Sequence, residues 1–344
     1  MTKNQISLPS PLRRSGALPT KKVATRYWVT LGALILASLA FAYGFLALDN
    51  PMPPGSAGFW RIAELRGTAV ITMAVVAVAQ TVATVSFQTV TNNRIITPSI
   101  MGFDSLFVAV QTASVYLLGA VGVVAMQGVP QFIFQVAVMV ALSVALYGWL
   151  LSGKLGNIQI MLLVGIIIGA GLGSVSAFMQ RMLTPSEFDI LTARLFGSVS
   201  NADASYFPIA IPLVIIASAF LIGSSKRLNV VALGRDTTMN LGINHRREVM
   251  KTLFFVSILI AVSTALIGPL TFFGFLAAML SYQLADTYDH RYVFPMSILT
   301  GFVVLSGAYF VMKHVFYAQG VVGIIIELVG GTAFLIFVLR KGRL

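Results

Sequence analysis

Apolar residues gather in ten blocks, at about 27–48, 65–90, 102–119, 129–151, 158–179, 206–223, 249–267, 272–285, 293–316 and 321–339. Most are close to the ~20 residues that a helix needs to cross a bilayer. Backbone groups in hydrocarbon must bond within the segment, so the blocks predict transmembrane helices. The eighth is short, because Gly268-Pro269 cuts it off from the seventh. Ala40-Phe41-Ala42 resembles a signal-peptidase site. The long basic segment before it and the span-length apolar run predict a retained first helix instead. An even number of spans puts both chain ends on one side.

The interruptions carry the rest of the organisation. Residues 1–26 are polar and basic, with Pro9, Pro11 and Pro19, and read as a flexible tail. Residues 27–344 then form a single membrane domain. Within the polar stretch 181–205, residues 186–196 predict a short surface helix. The longest polar break in the second half is 226–247, too long for a simple helix-to-helix turn. Lys226 and Arg227 mark one end, and His245, Arg246 and Arg247 the other. Between them Leu233, Met239, Leu241 and Ile243 alternate with polar residues, and Gly234 and Gly242 each follow a leucine. That pattern predicts two very short helices joined by tight turns. It suits docking of a soluble partner; the plainer alternative is a solvated loop.

Charge fixes the orientation. Of 23 Lys and Arg, all but Arg61, Arg66, Arg181, Arg194 and Lys313 fall on the side of the N-terminus. By the positive-inside rule, both termini and residues 226–247 are cytoplasmic. The net charge of +12 sits in membrane-flanking loops, which excludes a nucleic-acid surface. A mean hydropathy of +0.89 excludes a soluble domain. With no cysteine, disulfides and thiolate metal sites are excluded too.

Candidate chemistry is sparse. Gly148 to Leu155 comes within one residue of a phosphate-binding loop. It lacks the terminal Ser or Thr that reaches magnesium, and it ends a membrane helix, so it reads as chance. His245, His290 and His314 lie far apart in sequence and show no metal-ligand spacing. Neither a catalytic pair nor a metal site is expected. Ionisable groups are scarce within the spans; Glu327 in the tenth is the clearest, with Asp104 near the start of the third. A carboxylate in lipid is a functional candidate by default, although a satisfied structural role is the simpler reading. Gly165, Gly169, Gly171 and Gly173 give the fifth span a face that permits close helix approach.

Several stretches together resemble the permease subunits of ATP-binding cassette (ABC) importers for ferric siderophores, haem and vitamin B12. The resemblance covers residues 63–344. Arg66, Asn93, Pro98 and Gly102 match the family's second-span pattern. Leu233 to Gly242 matches its cytoplasmic LGxxxAxxLG segment, and Gly268 to Gly274 its GxxxFxG segment. Asp289, His290, Arg291 and Pro295 match its DHR turn. Gly323, Gly330, Phe334 and Val338 fit its final pattern approximately. Ala277 to Tyr282 departs from the family's Pro-His-Ile and following Arg, and Ala69 stands where a second outer Arg is usual; Arg61 lies close by. Residues 92–105 look like a siderophore subgroup whose members often pair with a second, different permease.

The resemblance implies the type II importer permease fold, in a bacterial cytoplasmic (inner) membrane. It implies that Leu233, Gly234, Arg235, Asp236, Met239, Leu241, Gly242 and Ile243 couple to a separate ATPase dimer, which would bind ATP and magnesium. This chain itself would hold no cofactor. Arg61, Arg66 and Lys313 would dock a periplasmic or surface-anchored siderophore-binding protein. The second permease subunit would be a sibling chain, with a homodimer as the other arrangement. The fifth and tenth spans, by their glycines, are expected to line the pathway. An ion-coupled carrier of a small solute, acting through Glu327, is the alternative.

Overall fold

The structure, a computed structural model, describes residues 16–48, 50–125, 128–152, 158–199, 202–314 and 322–341, and it is helical throughout these. The ten expected spans appear as α1 (Lys21–Ala47), α2 (Ala57–Val90), α3 (Asp104–Ala125), α4 (Val129–Ser152), α5 (Ile158–Arg181), α7 (Phe207–Gly223), α10 (His245–Ile267), α11 (Phe273–Ala285), α12 (His290–His314) and α13 (Val322–Lys341). Three short helices complete the set: α6 (Pro185–Leu195), α8 (Ser225–Val231) and α9 (Arg235–Asn240). Among the described residues, eight helices are long and apolar enough to cross a membrane; α11 and α13 are apolar but shorter. Residues 1–15 of the tail, and 153–157 at the end of the phosphate-loop look-alike, lie outside the described residues.

The expected surface helix is α6, closed at its start by a capping box between Thr184 and Glu187. The largest boundary difference concerns α2, which begins at Ala57 behind the N-cap Ser56 rather than near residue 65. At 34 residues it is about 50 Å long and outreaches the hydrocarbon. Arg61 and Arg66 therefore ride on the helix itself.

α2 and α10 form the centre. They pack against each other and against α12, α4 and α7, while α1 lies at the edge, mainly against α12. Polar side chains enter this centre by bonding their own helix. Thr81 donates to the Ala77 carbonyl, and Ser257 to that of Leu253. Such i−4 bonds let small hydroxyls sit in an apolar interior.

Glycines fix two close approaches. A π-helical turn, Ser99–Phe103, leads into α3 and bends at Gly102, whose φ is +104°. Gly165 and Gly169 of α5 receive this turn: a Cβ on Gly169 would stand 3.0 Å from the Cα of Gly102. Two of the four fifth-span glycines are thus used within the chain, and only Gly171 and Gly173 face open space. The second approach joins three loops. Gly268, at φ +87°, ends α10 against the backbone of Phe196 and Gly197. The Ser198 amide donates to the Ile267 carbonyl (2.8 Å), and the Gly323 amide to the Gly197 carbonyl (3.0 Å).

A Cβ on Gly197 would lie 2.5 Å from the Pro269 carbonyl oxygen, whereas one on Gly171 would meet nothing. Gly197→Ala should therefore destabilise the detergent-solubilised protein by about 1–3 kcal/mol. Gly171→Ala should melt like the parent chain. Thermal melts of the two variants check this.

Candidate functional site

The polar break 226–247 folds as the hydrophobic pattern requires. Leu228 and Val231 turn the inner face of α8 into the bundle, where they are 2% and 1% exposed. Tight turns at Gly234 (φ +94°) and Gly242 (φ +78°) then frame α9. Both conformations favour glycine, since a Cβ is strained there. Thr238 is fully buried beneath α9 and ties it to Val230 and Gly234. Asn244 caps α10 by accepting from the Arg247 amide (3.0 Å).

What remains outside is the interesting face. Leu233, Met239 and Leu241 are each more than half exposed, and Ile243 is half-buried beside them. Arg235 and Asp236 are exposed, and neither forms an ion pair among the described residues. Clustered apolar knobs in an aqueous compartment cost free energy until something covers them. Glu248 braces the element from below, with Arg227 at 3.5 Å and Lys251 at 3.2 Å.

A polar network fastens this element to three spans. The Asn229 side-chain oxygen accepts from the His290 amide (3.0 Å) and lies 2.5 Å from the His290 Nδ1. Its nitrogen donates to Asp289 (2.9 Å). Those partners fix which way the amide points, so a neutral His290 ring carries its proton on Nδ1. Nε2 is then an acceptor, 2.6 Å from the Thr89 hydroxyl of α2, whose one proton also faces the Val85 carbonyl at 2.8 Å. Tyr282 of α11 lies beside Thr89. Next to it, the Arg94 guanidinium lies between the rings of Tyr282 (4.5 Å) and Tyr288 (4.6 Å). Asp289 grips Arg291 through both carboxylate oxygens. That pair, with the Asn229 bond, pulls its carboxyl down to about 2. The DHR spacing marked Asp289 and His290 but gave no sign of Asn229, Thr89 or Arg94 as partners, which lie some 60 to 200 positions away in sequence.

The outer face is less uniform. Arg61 is exposed beside the exposed Trp60 and Leu65. Arg66 is half-buried, and its guanidinium donates to the Leu48 carbonyl (2.5 Å) and reaches that of Phe45 (3.4 Å), closing the C-terminal end of α1. A cation there also matches the helix dipole. Lys313 sits half-buried at the end of α12. Arg66 and Lys313 are carried by α2 and α12, which both meet α1 at this end. Beneath α6 a cavity of about 350 Å³ is lined by Gln111, Gln131, Gln135, Arg194, Asp203 and Tyr206. Burial holds the Arg194 guanidinium below its usual value.

The two carboxylates within the spans differ. Asp104 is tied to the loop after α10, accepting from the Thr271 hydroxyl (2.8 Å). Glu327 is exposed on α13, near enough to Asp104 to interact with it electrostatically. A charged side chain on an open face at this depth calls for a protein or aqueous neighbour rather than acyl chains. No group of three or more His, Asp or Glu suited to a metal occurs among the described residues.

The comparisons agree with one another. Residues 25–341 match the model of the FecCD transport family. The chain is 54% identical to the petrobactin import system permease protein FatC of Bacillus anthracis, over 98% of this chain and 96% of that one. It is 35% identical to the petrobactin import system permease protein YclO of Bacillus subtilis, over 76% and 82%. The iron-uptake system permease protein FeuC of the same organism is 28% identical, over 81% and 84%. A solved transporter described as of the metal-chelate ABC type, in an inward-facing conformation, superposes with a TM-score of 0.75. It covers 91% of this chain and 99% of that one at 19% identity, and so speaks to the fold.

Two expectations follow. Arg66→Gln should loosen the end of α1 and lower stability by about 0.5–1.5 kcal/mol with little dependence on salt, because it removes hydrogen bonds to the last carbonyls of α1. An effect on association with a binding protein, fading as salt rises, would instead mark a docking charge. Asp289 has a folded pKa below its unfolded value of about 3.8. Its contribution is therefore complete above that pH and lost as pH falls towards about 2, which acid melts of the parent and of Asp289→Asn would show.

Proposed function

This chain belongs to the FecCD transport family, and from that premise we propose that it is the permease subunit of an ATP-driven importer. It carries a ferric siderophore across the cytoplasmic membrane. The name of its 54% identical relative makes petrobactin the first cargo to test. The observation that carries the coupling role is the exposed face of Leu233, Met239 and Leu241 on a rigid, glycine-framed element outside the spans.

On this reading the apolar knobs seat in a groove of a separate ATPase, and Arg235 and Asp236 set the register by charge. Nucleotide and magnesium belong to that subunit. A binding protein delivers cargo to the outer face, where Arg61 is the most accessible of the three candidate basic residues. The exposed side of α5 and α13, with Gly171, Gly173 and Glu327, faces a second permease and lines the path between them. A sibling chain is favoured there, following the subgroup pattern in residues 92–105. Membership of this family does not favour the ion-coupled carrier.

A C-terminally tagged chain extracted in mild detergent should co-purify with a P-loop ATPase and, if the pairing is mixed, a sibling permease. Recovery of the chain alone, where a control ABC complex survives, would count against the importer. Leu241→Asp should abolish ATPase association and ATP-dependent uptake of ferric petrobactin. Wild-type uptake by that variant would end the coupling role of the segment.

A further inference from the structure

A push on α8 and α9 does nothing unless it reaches the inner ends of the spans. Two kinds of contact lead out of the element. One is the Glu248 brace, whose Arg227 partner is 58% exposed on its side chain. Exposed ion pairs are screened and yield easily. The other is the Asn229 network, where the amide uses both its ends at once. α8 cannot shift past the start of α12 without breaking these bonds, and a buried polar group left unpaired is costly.

The geometry points to a mechanical relay. We infer that Asn229 and His290 are positioning residues that carry displacement of the coupling segment to Thr89 on α2 and Tyr282 on α11. His290 is the pivot, because it holds Asn229 on one ring nitrogen and Thr89 on the other. Tyr282, beside Thr89 and packed on Arg94, takes up the movement next. Tyr282 in turn forms one wall of the stack around Arg94, so the segment joining α2 to the π-helical turn moves as well. Gln88 secures that segment by donating to the Arg94 carbonyl (2.7 Å). The relay depends on the coupling role proposed above, and it adds the route by which that role acts on the pathway.

The absence of cysteine makes a clean test available. Gln283 is exposed on α11, one residue from Tyr282, and takes a nitroxide through Gln283→Cys. The assembled complex with its ATPase is compared with and without ATP and vanadate. The parent should show a nucleotide-dependent change in label mobility. Asn229→Leu and Thr89→Val should shrink that change by about fivefold or more while ATP hydrolysis stays within about twofold, the scale of an ordinary coupling energy. Thr89→Ser, which keeps the hydroxyl, should restore the response. The double variant should be no worse than the weaker single one, because both cut the same path.

A full response in either single variant overturns the relay. So does loss of hydrolysis in step with loss of response, which would mark the network as packing alone. Thr89→Val removes one hydroxyl at nearly constant shape, so it stands as the test if Asn229→Leu does not assemble. Leu241→Asp separates the two proposals. If it leaves the ATPase bound, the docking role falls and the relay with it. If it releases the ATPase while Asn229→Leu responds normally, the relay alone falls.

Discussion

The structure turns on one requirement: a helix that ends away from water must still have partners for its last carbonyls. α10 ends at Ile267, which is 1% exposed, with Leu270 and Val322 equally buried around it. The loop after α6 supplies what is missing, through the Ser198 amide. That loop can come close only because Gly197, Gly268 and Gly323 lack side chains. Once the chain turns at Gly268, α11 starts short of the membrane surface. Its 13 residues span about 20 Å, less than the hydrocarbon thickness. Asp104 then finds Thr271, and α13 begins on the same knot of backbone.

The two faces of the protein use their polar residues differently. In segment 226–247, polar side chains bond each other and leave apolar knobs outside. At the other end of the bundle, Arg66 caps α1 and Arg194 lines a polar cavity. The buried polar network at the start of α12 engages both ring nitrogens of His290, one with Asn229 and one with Thr89.

Much of this was legible in the sequence. The ten apolar helices, the surface helix and the paired short helices of residues 226–247 follow from block length, glycine position and polar interruption. Those signals are local, and membrane helices obey them strictly. Other features escaped because they pair residues across the chain. The glycines of α5 were expected to line the pathway; Gly165 and Gly169 also meet Gly102, more than sixty residues earlier in sequence. Arg66, expected as a docking charge, also bonds the carbonyls that end α1, a pairing the sequence did not show. Hydrophobic periodicity carries no information on such pairings, because the polar groups involved are scattered singly among apolar residues.

The edge position of α1 bears on how the protein is made. It is the first helix to leave the ribosome, but its inner end is completed by one of the last. The Tyr27 hydroxyl donates to the Tyr292 carbonyl, 265 positions onward, and the two rings meet edge to face. Through most of synthesis that hydroxyl has no such acceptor. The packing of this edge helix is therefore completed late in synthesis, when α12 arrives to supply the missing acceptor and ring.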